Sequence, residues 1–220
     1  MSYPTDTFAY YPSKRHRVRR IEIEAPAGFY AGARQNYHLL PADVVLYRAD
    51  ATLVDLAIEA VTHSVWIHGG MLAWDEDDGR WEILDTIAWK GGQRTPLDEA
   101  VRRNPGHWDH FRANPCNRWP EFNRSLAVAK MDEFVGRPYG WKGVFLDALS
   151  HLPLIGPQRD TKHGADDGAL PFCTEATAIA TRTGGADPWP HLASRFVEPV
   201  DVAQSPFFEY AGTFWPAEAF

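Results

Sequence analysis

Cysteine and histidine are the residue types that do nucleophilic and acid–base chemistry most readily near neutral pH, and this chain holds only two cysteines, Cys116 and Cys173. Cys173 stands in Pro171-Phe172-Cys173-Thr174-Glu175-Ala176-Thr177-Ala178, where loop-forming sequence gives way to an Ala-rich helix. A helix start carries unpaired backbone N–H groups and partial positive charge. Both favour a thiolate over a thiol, and the same N–H groups can steady an oxyanion during acyl transfer. A buried cysteine also serves as a small apolar filler, so position alone leaves two readings open. The two cysteines could pair, yet a chain of this length does not need a disulfide to fold, and a lone reactive thiol fits as well.

A thiolate nucleophile needs an imidazole beside it. Val65-Trp66-Ile67-His68-Gly69-Gly70-Met71 offers His68 within a strand, with His63 just before it as the rival. If alternation holds, His68 shares its face with Trp66 and Leu72. Two following glycines would let another segment approach closely. The imidazole in turn needs an orienting acceptor. In Trp81 to Trp89, alternation places Ile83, Asp85, Ile87 and Trp89 on one face. An acid among apolar side chains must be paired or bear a desolvation cost, and a histidine on the neighbouring strand would pair it. Glu82, on the other face, is the lesser candidate.

The elements that must position these groups follow from local signals. Arg20 to Glu24 alternates as a strand, Gly28 to Gln35 reads as a loop, and Pro41 to Arg48 as a buried strand entered through a turn. Thr52 to Thr62 has helical spacing, capped by Asp50 or Thr52. Ser64 to Trp74 and Trp81 to Trp89 read as two strands joined by the acidic Asp-Gly turn Asp75-Glu76-Asp77-Asp78-Gly79. Gly91-Gly92 is read as the end of the second, and Thr95-Pro96-Leu97-Asp98-Glu99 as a helix start. Asn104 to Pro120 is loop-like. Glu121 to Val135, Trp141 to His151 and Phe172 to Arg182 are expected helices. Pro153 to Leu170 is a long loop suited to a lid, and Pro188 to Phe220 a tail with one strand.

The whole chain sets bounds. Its 220 residues suit one good-sized domain with appendages, and 45% hydrophobic with 23% charged residues is an ordinary globular balance. A net charge of −7 argues against general nucleic-acid binding. The basic run Lys14 to Arg20 goes against that balance and reads as a solvated arm or edge strand. No run of about 18 apolar residues exists, so no transmembrane segment is expected. The polar start, Met1-Ser2-Tyr3-Pro4-Thr5, has no apolar core of a secretory signal. Synthesis in the cytoplasm is expected, with any wall target reached by another delivery device. His107, Asp109, His110 and Cys116 form a weak zinc pattern, lacking a second ligand pair at zinc spacing.

Five segments then follow one another: Ala42-Asp43-Val44-Val45-Leu46-Tyr47-Arg48, Thr62 to Met71, Ile83-Leu84-Asp85-Thr86, Val135-Gly136-Arg137-Pro138-Tyr139-Gly140-Trp141, and Phe172-Cys173-Thr174-Glu175. In this order they resemble the circularly permuted branch of the NlpC-type papain-like superfamily, the YiiX-like proteins. They are similar to that family's G-D-hydrophobic strand, S-x-x-S-H-x-G-[IM] histidine segment, hydrophobic-E-A strand, G-x-P-Y-D-W segment and [FY]-C-S-E nucleophile segment. Departures are Ala42 for Gly, Ile67 for Ser, Asp85 for Glu and Gly140 for Asp. Asp for Glu shortens the reach to His68.

The resemblance covers about residues 40 to 210; residues 1–35 and the Asn104–Pro120 stretch have no counterpart in it. It implies an α+β papain-like permuted fold, a small antiparallel sheet packed against the helix that carries the nucleophile. Residues 1–35 are then an N-terminal extension and 36–220 the hydrolase domain. It implies Cys173 as nucleophile, His68 as base and Asp85 as orienting acid, with no metal or organic cofactor. The expected activity is cleavage of an amide bond in a peptide or acyl substrate, cell-wall peptides included, through a thioester. The alternatives are an acyltransferase on lipids or amines and a catalytically silent component of a phage tail or secretion apparatus. Tyr47 is placed to line the site, with no role carried over.

Overall fold

Eight strands and four α-helices are seen among the residues that the computed structural model describes: 8–10, 17–23, 39–48, 64–140 and 171–216. The strands are β1 (Phe8–Tyr10), β2 (Arg17–Ile23), β3 (Val44–Arg48), β4 (Trp66–Asp75), β5 (Arg80–Ile87), β6 (Gly91–Pro96), β7 (Trp108–Ala113) and β8 (Phe208–Pro216). The helices are α1 (Leu97–Arg103), α2 (Arg124–Asp132), α3 (Cys173–Thr183) and α4 (Pro199–Gln204), with a 3-10 turn at Ser194–Phe196. The strands form one sheet in the order β1-β2-β8-β7-β3-β4-β5-β6. Every pairing is antiparallel except β2 with β8. The fold is mixed α+β.

Alternation along the central strands sends side chains to two cores. On one face Val45, Leu72, Trp81 and Ile83 pack under Leu97, Ala100 and Val101 of α1. On the other, Met71, Ala73 and Leu84 meet Ala127 and Met131 of α2 and Ala176, Ile179 and Ala180 of α3. Val44, Leu46 and Phe111 continue that second face toward α4. The β4–β5 hairpin closes as its sequence requires. Asp75 Oδ1 accepts the N–H groups of Asp77 at 3.0 Å and Asp78 at 3.3 Å, and Gly79 takes φ +61°.

The helices carry their own start signals. Asn123 Oδ1 accepts the Leu126 N–H at 3.1 Å at the start of α2. At α3, the Glu175 carboxylate reaches back to the Phe172 N–H at 3.2 Å. Asp98–Arg102 and Glu99–Arg103 pair along α1, acids in its first turn and bases in its last.

Three expectations need correction. Gly91-Gly92 does not end the sheet; it begins β6, whose Gly92 N–H donates to the Arg137 carbonyl at 2.8 Å while the Gly136 N–H donates to the Gly92 carbonyl at 2.8 Å. A Cβ at position 92 would lie 1.9 Å from the Phe134 carbonyl oxygen, so glycine is what lets that backbone dock there. The loop-like stretch Asn104–Pro120 holds the buried strand β7. Its Pro, Asn, His and Trp content reads as a loop, yet its buried polar groups find partners far off in sequence: Arg48 and Trp66 for Asp109, Asp43 for His110. Trp89 does not continue the face of Asp85; β5 stops at Ile87, and Trp89 lies in the turn at φ +69°, 87% exposed. The expected helices over 52–62 and 141–151, and the loops over 28–35 and 153–170, lie outside the described residues.

Candidate active site

The site gathers where β4 and β5 lie beside the first turn of α3. Gly70 is the register partner of Asp85. His68, two residues before Gly70 and on its face, is therefore a diagonal neighbour of Asp85. His68 Nε2 lies 2.9 Å from Asp85 Oδ2, so the shorter acid does reach. Asp85 is buried, and among the described residues its second oxygen, Oδ1, finds no hydrogen-bond partner.

Alternation does not hold along all of β4. His68 pairs with Tyr47 and Trp66 with Arg48, so Ile67 is an extra residue, a β-bulge. Leu72 shares the α1 face with His68 as expected, while Trp66 turns to the opposite core with Phe111. The His68 ring meets Trp108 edge-on at 6.3 Å, and Tyr47 packs on Trp108 at 4.9 Å.

Cys173 is the first residue of α3 and is buried. Its sulfur hydrogen-bonds His68 and accepts the backbone N–H groups of Gly69 and Thr174. With Nε2 turned to Asp85, the other ring nitrogen is left for the thiol. Burial alone would push the Cys173 thiol up, but the charge and hydrogen bond of His68 and the two N–H groups hold it below the ordinary thiol range. Burial would likewise pull His68 down, yet the Cys173 charge, the Asp85 hydrogen bond and the Cys173 hydrogen bond carry it up to about 10. Both shifts favour the thiolate–imidazolium pair over the neutral thiol and imidazole.

The structure thus brings together Cys173, His68 and Asp85. Glu82 sits on the opposite face, engaged by Arg80 and Arg94 at 3.2 and 3.0 Å, and takes no part. His63 lies outside the described residues. Cys116 is exposed, and both cysteines are free thiols. Tyr139 was quoted in a motif but given no role. Burial, then the charges of Cys173 and Glu175, push its phenol up, which puts it within electrostatic range of the thiol. Its signal was its place before the Cys helix; a contact across about 30 residues of chain has no local signature.

Neither a protein-family model nor a curated protein matches this chain. The backbone is similar to the crystal structure of metalloprotein yiiX from Escherichia coli O157:H7, with TM-score 0.54 and 14% identity, over 80% of this chain and 98% of that one. At that identity the likeness is one of fold. The word metalloprotein belongs to that structure. Among the described residues here, no group of three or more His, Cys, Asp or Glu side chains could hold a metal ion. His110, a member of the weak zinc pattern, is instead spent on buried Asp43 at 3.0 Å.

Proposed function

We propose that this chain is a cysteine hydrolase that cleaves an amide bond through a thioester, with residues 36–220 as a permuted papain-like domain and residues 1–35 as an extension. The observation that supports it most is one imidazole, His68, bonded on one side to buried Asp85 and on the other to Cys173 at a helix start.

His68 takes the Cys173 proton, and the thiolate attacks the substrate carbonyl. The tetrahedral oxyanion is steadied by the Cys173 backbone N–H, one of the unpaired donors of the first helical turn. Collapse breaks the C–N bond, and His68 delivers its proton to the leaving amine. His68, now neutral, takes a proton from water, the hydroxide adds to the thioester carbonyl, and the thiolate leaves with the imidazolium restored. Asp85 holds the ring orientation and stabilises the imidazolium throughout.

The test is direct. Purified protein should release amine from an amide or peptide panel, and Cys173→Ala should abolish the release while keeping the fold. Hydrolysis that survives Cys173→Ala would falsify the reading. Acyl transfer to an added amine or alcohol in place of water would change the acceptor and leave the Cys173 chemistry standing.

A further inference from the structure

The bulge at Ile67 needs a cause, because regular alternation would put Trp66 and His68 on one face. Two anchors hold Trp66 on the other. Its indole N–H donates to Asp109 Oδ2 at 2.8 Å, and its backbone N–H donates to Ser64 Oγ at 3.1 Å. Asp109 is itself fixed. Arg48 Nε lies 3.3 Å from the same carboxylate oxygen, and the Thr213 hydroxyl donates to the other. Arg48 also donates to the Gly106 carbonyl and accepts at its own carbonyl from His107 at 3.1 Å. Three strands, β3, β7 and β8, therefore converge on the residue two before His68. A buried polar cluster of this kind keeps its geometry because any slip leaves a charge or a donor unpaired.

We propose that Trp66, held by Asp109 and Ser64, is a positioning residue for His68: its anchoring on the opposite face sets the bulge that turns the imidazole toward Asp85 and Cys173. This rests on the reading of Cys173 and His68 given above. Released from its anchors, Trp66 is free to return to the regular register, which rotates the strand at Ile67 and draws the ring off the sulfur. Displacements of about 1 Å in such a pair cost up to a hundredfold in rate. The titratable groups facing the pair are Asp85 from β5, Tyr47 from β3, and Tyr139 and Glu175 beside the thiol, and none is changed by the substitutions below.

The experiment is the pH dependence of iodoacetamide alkylation at Cys173, read by mass spectrometry at peptide level because exposed Cys116 also reacts. Trp66→Phe removes the indole N–H and keeps an aromatic ring. Its Cys173 midpoint should rise by at least about half a pH unit, with kcat on a cleavable amide down about tenfold and KM unchanged. Ser64→Ala should move the midpoint the same way through the backbone anchor. A folded Trp66→Phe or Ser64→Ala protein with an unshifted midpoint overturns the proposal. Wild-type Cys173 titrating as an ordinary thiol would instead sink the hydrolase reading on which it rests.

Discussion

A thiolate beside an imidazolium titrates in two directions, and the two pH limbs separate its partners. Cys173 is held below the ordinary thiol range and His68 is carried up to about 10. The reactive form, thiolate with imidazolium, is present once Cys173 has lost its proton and until His68 loses its own. Amide hydrolysis should rise as Cys173 loses its proton, below the ordinary thiol range, and fall near pH 10 as His68 loses its own. Alkylation needs only the thiolate, so it should rise on the same acid limb and not fall at high pH. A single rise near the ordinary thiol range in both assays would show that the pair does not form. Asp85→Asn keeps an oxygen for His68 but removes the charge and permits the wrong tautomer. Its kcat should drop roughly a hundredfold or more with folding intact.

At the scale of elements, the two glycines after His68 serve different neighbours. A Cβ at Gly70 would lie 2.6 Å from Ile83 Cγ2, 2.9 Å from the Leu84 carbonyl oxygen and 3.0 Å from Asp85 Cβ. Two of those three atoms are backbone or Cβ, with little room to yield. Gly70→Ala should therefore push β5 from β4, cost about 1–3 kcal/mol, and weaken the His68–Asp85 contact. A Cβ at Gly69 meets Leu46 Cδ2 at 2.9 Å, the far end of a flexible side chain, and Thr174 Cγ2 at 3.4 Å. Gly69→Ala should lose less stability, and thermal melts of the two variants check the order. The start of α3 offers a third variant. Glu175→Ala frees the Phe172 N–H and should cost about 1 kcal/mol, with the loss read in the melt and in slower Cys173 alkylation.

At the scale of the molecule, one buried acid ties the segments that frame the site. Asp43 accepts from the Leu40 N–H at 3.1 Å and the Ala113 N–H at 3.0 Å, and meets Arg124 at 2.8 Å and His110 at 3.0 Å. It thereby links the start of β3, the end of β7 and the first turn of α2. Asp43→Ala leaves Arg124 and buried His110 without their partner. The expected loss is about 3 kcal/mol, or about 6–12 °C in Tm for a chain of this size. The protein that remains folded should keep the wild-type alkylation profile, since Asp43 is not among the groups acting on Cys173 or His68.

Much of this was legible because the signals are local. The Asp-Gly turn, the glycine pair, the alternation of β5 and the helix that opens at Cys173 depend on neighbours a few residues apart, and short-range sterics and helix-end polarity act at that range. The residue types and their order, histidine then acid then cysteine, were likewise readable along the chain. What tertiary structure alone decided depends on pairing across the sheet. The bulge at Ile67 exists because Trp66 finds Asp109 on β7. Strand β7 hides as a loop because its charges are answered by Arg48 and Asp43, about 60 residues upstream. The segment just before Tyr139 is held to β6 by backbone bonds of Gly136 and Arg137 to Gly92, more than 40 residues upstream. A sequence states which groups are present and what each favours nearby; whether two buried groups meet is set by the register of strands, a sum over distant contacts that no window of sequence contains.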